Sequence, residues 1–166
     1  MDFKEERKMA LREIRVQGDP VLEKVCKEVK EVTPRTQDLI DDMIETMYEA
    51  NGVGLAAPQV GILKRIVVID VGEGPIVMIN PRIISTDGEQ TGDEGCLSVP
   101  GKAGLVTRPN YVVARFLNEE MQECEVEATE LFARAICHEL DHLDGHLYVE
   151  KVEGGLHDVT YEEVEE

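Results

Sequence analysis

The segment His138-Glu139-Leu140-Asp141-His142 constrains the fold of this chain more than any other feature. Because four residues turn an α-helix by about 400°, two histidines four positions apart share one face when the segment is helical. Their imidazoles are then close enough to bind one metal ion. Glu139 is displaced by about 100° from His138, so it can lie beside the ion without binding it and act as a general base.

This motif leaves the third protein ligand open, and a catalytic metal site needs three such ligands and one free position. Zincin-type peptidases take a glutamate or histidine from further along the chain, and Glu162 and Glu163 are the carboxylates that could serve here. Both stand in a strongly charged terminal segment, which argues against that role. His146 would lie about 12 Å along the helix axis from His138, too far to share an ion.

Cys96 remains as a candidate for the third ligand. Gly95 precedes it and Pro100 follows, which indicates an irregular, exposed strand whose backbone groups are free for a ligand. Taken alone, Cys96 is explained more simply as a small buried apolar side chain. The same explanation is preferred for Cys124 and Cys137, and the wide spacing of the cysteines favours thiols or metal ligands over disulfides.

Two helices are predicted from the spacing of apolar residues and from the signals at their ends. The first begins after Thr33, a favourable N-cap followed by proline, and ends near Asn51-Gly52. The second runs from about Thr129 to Asp144 and carries the two histidines, with Gly145 as its stop.

The remaining pattern is rich in β-branched residues, with runs separated by glycine and proline. Together with the two helices, it predicts an α+β fold: mixed or antiparallel β-sheets packed around a central metal-binding helix, with an N-terminal helix. The predicted strands are 65–71, 75–80, 82–85, 111–117 and 121–128, of which the last two form a hairpin.

The length of the chain indicates its domain organisation, and its charge limits the kinds of partner it can bind. Its 166 residues suit one domain, with residues 1–8 as an N-terminal extension and residues 153–166 as an acidic tail in which His157 is solvated. A formal net charge of -18 argues against a nucleic-acid partner. No apolar run approaches the roughly 18 residues of a membrane span, and the start is too charged for a secretory signal. We therefore expect a cytoplasmic protein without a membrane partner.

Three separated segments of the chain belong together: Gly52-Val53-Gly54-Leu55-Ala56-Ala57-Pro58-Gln59, Glu94-Gly95-Cys96-Leu97-Ser98 and His138-Glu139-Leu140-Asp141-His142-Leu143-Asp144-Gly145. In this order and at this spacing they resemble the signature motifs of the peptide deformylase family. Residues 18–22 are similar to the family's opening, and the resemblance covers roughly residues 10 to 152.

The resemblance implies a ligand set and a reaction. Cys96, His138 and His142 would bind one divalent metal ion per chain, usually Fe(II) in this family, with zinc, nickel or cobalt able to replace it. Glu139 would act as general base and then as general acid. The side-chain amide of Gln59 and the backbone N–H of Leu97 would stabilise the oxyanion during hydrolysis.

The resemblance also implies the substrate, which is the formylated methionine at the amino terminus of nascent peptides. Main-chain groups near Val53-Gly54 and at Gly95 would hold the peptide as an extended strand. Leu131 and Ala135 would help line the pocket for the methionine side chain, although both are equally compatible with an ordinary core. Glu94 and Arg108 would form an ion pair that braces the Cys96 segment.

Two other functions stay open on the sequence. A zincin-type metallopeptidase shares the helix motif and the role of Glu139 but needs the downstream ligand. A non-catalytic, metal-stabilised domain would need a closed site with four ligands. The acidic C-terminal residues do not support docking on ribosomal RNA, so at most a transient proximity to the ribosome is expected.

Overall fold

The computed structural model describes residues 10–159. Within this range the chain forms two α-helices, α1 (Pro34–Glu49) and α2 (Glu130–Leu143), and short 3₁₀ turns at Pro20–Glu23, Ala57–Val60 and Tyr148–Lys151. The strands are β1 (Gly54–Ala56), β2 (Ile66–Ile69), β3 (Ile76–Asp87), β4 (Gln90–Cys96), β5 (Val99–Arg108), β6 (Tyr111–Leu117), β7 (Glu123–Thr129) and β8 (Glu153–Asp158).

The strands form two sheets in which neighbouring strands run antiparallel. The larger sheet has the order β1-β2-β3-β6-β7, and the smaller sheet has the order β4-β5-β8. This arrangement confirms the α+β class. The predicted hairpin at 111–117 and 121–128 corresponds to β6 and β7, which pair in continuous register.

Strand β2 shows how the larger sheet is covered on both faces. Ile66 and Val68 pack in the apolar cluster that contains the buried face of α1, whereas Val67 and Ile69 pack in the cluster that contains α2. Because both faces are buried, the strand is a continuous apolar run rather than an alternating one. Helix α2 is therefore held by the large sheet on one side, and its other side faces the β4–β5 hairpin.

Both helices begin and end close to the predicted residues. The Thr33 hydroxyl accepts a hydrogen bond from the backbone N–H of Thr36 at 3.2 Å, and Pro34 occupies the first turn. Helix α2 ends at Leu143, and Gly145 follows with a φ of +83°, a left-handed conformation that favours glycine. Neither helix in residues 10–159 has the length and apolarity that a membrane crossing requires.

The prediction of separate strands at 75–80 and 82–85 is wrong, because β3 runs continuously through Pro81. A bulge between Ile79 and Arg82 takes the proline out of the ladder, so its missing N–H costs no strand pairing. Asn80 adopts a φ of +51° in this bulge. Its side-chain amide donates to the carbonyl of Val29 and accepts from the N–H of Val29, both at 2.8 Å.

The small sheet differs most from the sequence prediction. Only an irregular strand near Cys96 is expected from the sequence, but residues 90–108 form the long β4–β5 hairpin. Residues 153–158, expected within the acidic tail, form β8 against β5. His157 is only half exposed and its Nε2 lies 3.2 Å from Asp93 Oδ1, so it is not simply solvated. The predicted extension at 1–8 and the tail residues 160–166 lie outside the described residues.

Gly145→Ala should lower the free energy of unfolding by about 3 kcal/mol, since the left-handed backbone disfavours alanine and the added Cβ would lie 2.6 Å from the Glu23 carbonyl oxygen. Gly154→Ala is the matched control. Gly154 has a similar φ of +78°, but no atom lies within 4 Å of a Cβ added there. We therefore expect this substitution to lower the free energy of unfolding by only about 1 kcal/mol. Thermal or denaturant unfolding measures both changes, and equal losses would contradict the packing role of Gly145.

Candidate metal centre

Cys96, His138 and His142 come together although β4 and α2 are far apart in the sequence. One ligand atom from each residue lies within 4.8 Å of the other two. Cys96 Sγ and His142 Nε2 are 3.3 Å apart, and the two imidazole centroids are 5.0 Å apart. Within residues 10–159 these three side chains form the one group of this kind.

The end of β4 places the sulfur. The β4–β5 ladder shifts register between Gly95 and Cys96, and the chain turns immediately afterwards into β5. The Cys96 Sγ receives the backbone N–H of Ser98 at 3.4 Å and the side-chain amide of Gln59 at 3.6 Å. Two N–H donors are thus directed at this sulfur, and a cysteine binds metals as its thiolate.

Glu94 orients the first histidine. Its Oε2 accepts a hydrogen bond from His138 Nδ1 at 2.6 Å, so in the neutral ring Nε2 is the nitrogen whose lone pair is available to a metal ion. Burial alone would raise the pKa of Glu94, but the hydrogen bonds from His138 and Arg108 outweigh it and lower the pKa to about 2. The carboxylate is therefore ionised and accepts a hydrogen bond from the imidazole N–H.

The predicted ion pair between Glu94 and Arg108 is present and is part of a larger network. Arg108 binds Glu94 through two nitrogens, Nη2 at 2.6 Å and Nε at 3.1 Å. Arg134 adds a third arginine contact, Nη1 to Glu94 Oε1 at 2.9 Å. Arg134 was not predicted, although its position four residues before His138 places both side chains on one face of α2.

Glu139 is buried beside the ligand group, and its Oε1 has no hydrogen-bond partner among the described residues. Burial raises the pKa of Glu139 to about 7, against the lowering effect of His138. A carboxyl group with such a pKa can accept and return a proton near neutral pH. Gly54 makes room for it, because a Cβ at that position would lie 2.5 Å from Glu139 Oε2.

The pKa values of His138 and His142 are shifted in opposite directions. Burial alone would lower the pKa of His138, but Glu139, Cys96 and Glu94 together raise it well above its ordinary value. Burial and the neighbouring His138 lower the pKa of His142 well below its ordinary value. The two imidazoles and one thiol of this group are a donor set for divalent transition metals.

Gln59 lies in the 3₁₀ turn Ala57–Val60 and is buried. Its Oε1 accepts the backbone N–H of Ala56 at 2.9 Å, which fixes the orientation of the amide. The Nε2 atom donates to Ser98 Oγ at 3.0 Å and points its other proton toward the Cys96 side of the site. Ser98 was not assigned a role from the sequence, although it stands within the second motif.

An open cavity of about 800 Å³ reaches Cys96 and His138, two of the three proposed ligands, and Glu139 beside them. Leu131 and Val53 are about half exposed at its wall, whereas Ala135 is buried and also packs in the core. The exposure of Leu131 excludes its interpretation as ordinary core. The cavity is lined by all five residues expected to contact substrate, Val53, Gly54, Gly95, Leu131 and Ala135, and also by Gln59, Cys96, Leu97, His138 and Glu139.

The other candidate ligands that the structure describes lie away from this group. His146 is exposed and its Nδ1 lies 3.1 Å from Glu150 Oε2, apart from the metal group. Cys26, Cys124 and Cys137 are free thiols, as the sequence predicted, and Cys137 is buried as expected, whereas Cys124 is only partly buried. Burial raises the pKa of Cys26 to about 11. The downstream candidates Glu162 and Glu163 lie outside the described residues.

Comparison with known proteins places these features in a family context. Residues 11–156 match the family model described as polypeptide deformylase. The peptide deformylase of Agathobacter rectalis is 82% identical over 158 residues, which are 95% of this chain and the whole of that protein. The peptide deformylase of Lachnoclostridium phytofermentans is 65% identical over 162 residues, 95% of this chain and 99% of that protein.

Solved structures agree with the sequence relatives. The crystal structure of peptide deformylase from Thermotoga maritima has a TM-score of 0.84 and 42% identity, covering 86% of this chain and 98% of that one. The peptide deformylase from Synechococcus elongatus, solved in complex with actinonin, has a TM-score of 0.84 and 41% identity, covering 89% of this chain and 84% of that one.

Cys96→Ala should abolish stable binding of a divalent metal ion, because two imidazoles alone do not complete the ligand set. Cys124→Ala is the matched control, since Cys124 is also a partly exposed free thiol but lies outside the ligand group. Elemental analysis of both purified variants measures the bound metal. An equal metal content in the two variants would contradict the role of Cys96.

Proposed function

This chain belongs to the polypeptide deformylase family, and from that premise we propose how its own residues remove the N-terminal formyl group from formyl-methionyl nascent peptides. The reaction hydrolyses a linear amide and releases formate and a free amino terminus. The observation that carries the proposal is the meeting of Cys96 with His138 and His142 beside a buried Glu139 that has an unpaired oxygen.

Cys96, His138 and His142 are the proposed ligands of one divalent metal ion per chain. Their two imidazoles and one thiolate fit several ions. Fe(II) is the ion that we propose for the cell, with zinc, nickel or cobalt as possible replacements. When bound, such an ion acts as a Lewis acid that polarises the formyl carbonyl.

Glu139 is the proposed proton carrier. Its unpaired Oε1 accepts a proton from the attacking water, and the same carboxyl group then passes that proton to the leaving amine. A pKa near 7 suits both steps, because the group is neither too weak a base nor too weak an acid. Burial beside Gly54 keeps the carboxyl group in a restricted position.

Gln59 and the Leu97 N–H are the proposed donors for the oxyanion. The bond from Ala56 N–H to Gln59 Oε1 prevents the amide from rotating, so its NH₂ group is already oriented toward the site. Oriented donors of this kind stabilise developing negative charge without reorganisation during the reaction.

The cavity supports the substrate assignment. Gly54 and Gly95 bring backbone close to the site without side-chain obstruction, and Val53 stands at the same wall. Leu131 and Ala135 provide apolar surface for a methionine side chain. The formyl group is the smallest acyl group, so restricted space around Glu139 favours it over larger ones.

The family assignment takes precedence over the zincin-type alternative, since Cys96 supplies the ligand that the alternative seeks downstream. We place the reaction in the cytoplasm, where nascent peptides emerge. The net charge of -18 argues against binding to nucleic acid, and the acidic C-terminal residues do not support docking on the ribosome, so we propose at most a transient proximity to it.

Glu139→Gln should retain bound metal and fold but lose formate release, because the amide cannot accept the proton. We expect kcat to fall by at least about 10²-fold. Formate release from a formyl-Met peptide measures the loss, and elemental analysis confirms that the metal is retained. Glu150→Gln, which changes an exposed carboxylate, is the control; equal turnover in both variants would refute the proposed role.

Gln59→Glu should lower kcat by about 10²- to 10³-fold, since the carboxylate can still accept the Ala56 N–H but no longer donates to the oxyanion. Ser98→Ala removes only the acceptor of one Gln59 proton and should have a much smaller effect. Steady-state kinetics on a formyl-Met peptide separates them. A kcat for Gln59→Glu within threefold of the parent enzyme would remove Gln59 from the mechanism.

A further inference from the structure

Asp141 stands inside the helix motif but does not line the metal cavity. It borders a separate cleft of about 450 Å³, together with Arg108 and Lys151. Its Oδ2 accepts a hydrogen bond from Arg108 Nη1 at 2.7 Å and lies 3.0 Å from Lys151 Nζ. One carboxylate oxygen is therefore shared by two cations.

A series of direct contacts connects Lys151 to His138, one of the proposed metal ligands. Lys151 contacts Asp141, Asp141 contacts Arg108, and Arg108 contacts Glu94. Glu94 Oε2 in turn accepts a hydrogen bond from His138 Nδ1 at 2.6 Å. A charged surface residue is thus connected through three buried or partly buried groups to a side chain of the ligand group.

Arg108 is the central member of this series. Its side chain is only 3% exposed, and all three guanidinium nitrogens are bound: Nε and Nη2 to Glu94, and Nη1 to Asp141. A planar guanidinium held at both ends cannot rotate without breaking contacts on both sides. Without Asp141, only Glu94 would hold the group.

We propose that Asp141 and Lys151 are positioning residues for the metal centre. Asp141 fixes the orientation of Arg108, Arg108 fixes Glu94, and Glu94 fixes the ring of His138. Lys151 acts by holding Asp141 against Arg108. This inference rests on the proposed role of His138 as a metal ligand, and it adds residues on the far side of Glu94 to the groups that set that ligand's geometry.

The position of Lys151 supports a role beyond surface charge. It ends the 3₁₀ turn Tyr148–Lys151, and the Tyr148 ring centroid lies 5.9 Å from that of His138. The same turn thus contacts the metal helix at His138 and at Asp141. Because the Lys151 side chain is 48% exposed, its contribution should be smaller than that of Asp141.

The test measures metal retention in the cobalt-loaded full chain. Each variant is loaded with Co(II) and diluted into excess chelator, and the visible absorption of the cobalt site is followed with time. Asp141→Asn keeps the shape of the side chain, and Lys151→Gln keeps its polarity. Asp144→Asn is the matched control, because Asp144 pairs with Arg65 near the end of the same helix and has no contact with Glu94 among the described residues.

We expect Asp141→Asn to lose Co(II) about 10-fold faster than the parent protein, and Lys151→Gln about threefold faster. Asp144→Asn should match the parent protein. The double variant Asp141→Asn/Lys151→Gln should lose Co(II) no faster than Asp141→Asn alone, since Lys151 acts through Asp141. A purely structural ion pair would lower thermal stability and leave the loss of Co(II) unchanged.

The outcomes separate this inference from the proposed function. A parent protein that binds no Co(II) and releases no formate would overturn both. A parent protein that does both, with Asp141→Asn losing Co(II) at the rate of Asp144→Asn, would overturn the positioning role alone. If Asp141→Asn does not fold, Lys151→Gln decides: a rate equal to that of Asp144→Asn overturns the inference, and a faster rate supports it.

Discussion

The buried carboxylate of Glu94 is the contact on which the site depends. It joins the β4–β5 hairpin to α2, because it binds Arg108 from β5 and Arg134 and His138 from α2. A buried charge is costly unless its oxygens are fully paired, and here each oxygen has more than one donor. The small sheet and the metal helix are thus held in one arrangement, and the Cys96 sulfur two residues beyond Glu94 is carried to the histidines.

Apolar packing against the large sheet determines which side of α2 faces the site. The large sheet lies between the two helices, so one side of α2 is buried against β2 and its neighbours. The other side then has to present polar groups to the β4–β5 hairpin. Glu139 is unfavourable for the stability of the fold, because its buried Oε1 has no hydrogen-bond partner and burial raises its pKa to about 7. The unpaired oxygen and the raised pKa are the properties that a proton carrier needs.

Much of the local structure could be predicted because its signals are local. Thr33 with Pro34, and Gly145 with its left-handed backbone, mark helix ends within the span of one turn. The break predicted at Pro81 was wrong because a bulge removed the proline from the ladder. Strands β1, β5 and β8 were missed, and β4 was expected only as an irregular strand near Cys96. Both β4 and β8 contain glycine and charged residues, and pairing with β5 makes them strands.

The sequence by itself determined that His138 and His142 share a helix face with Glu139 beside them, because helical periodicity converts spacing directly into direction. It also determined the family, through three motifs in order. Only the tertiary structure decided that Cys96 meets those rings and that Arg134, Asp141 and Lys151 join Glu94 and Arg108 in one network. Distances between segments many residues apart depend on sheet packing and buried charge pairing, which no local spacing encodes.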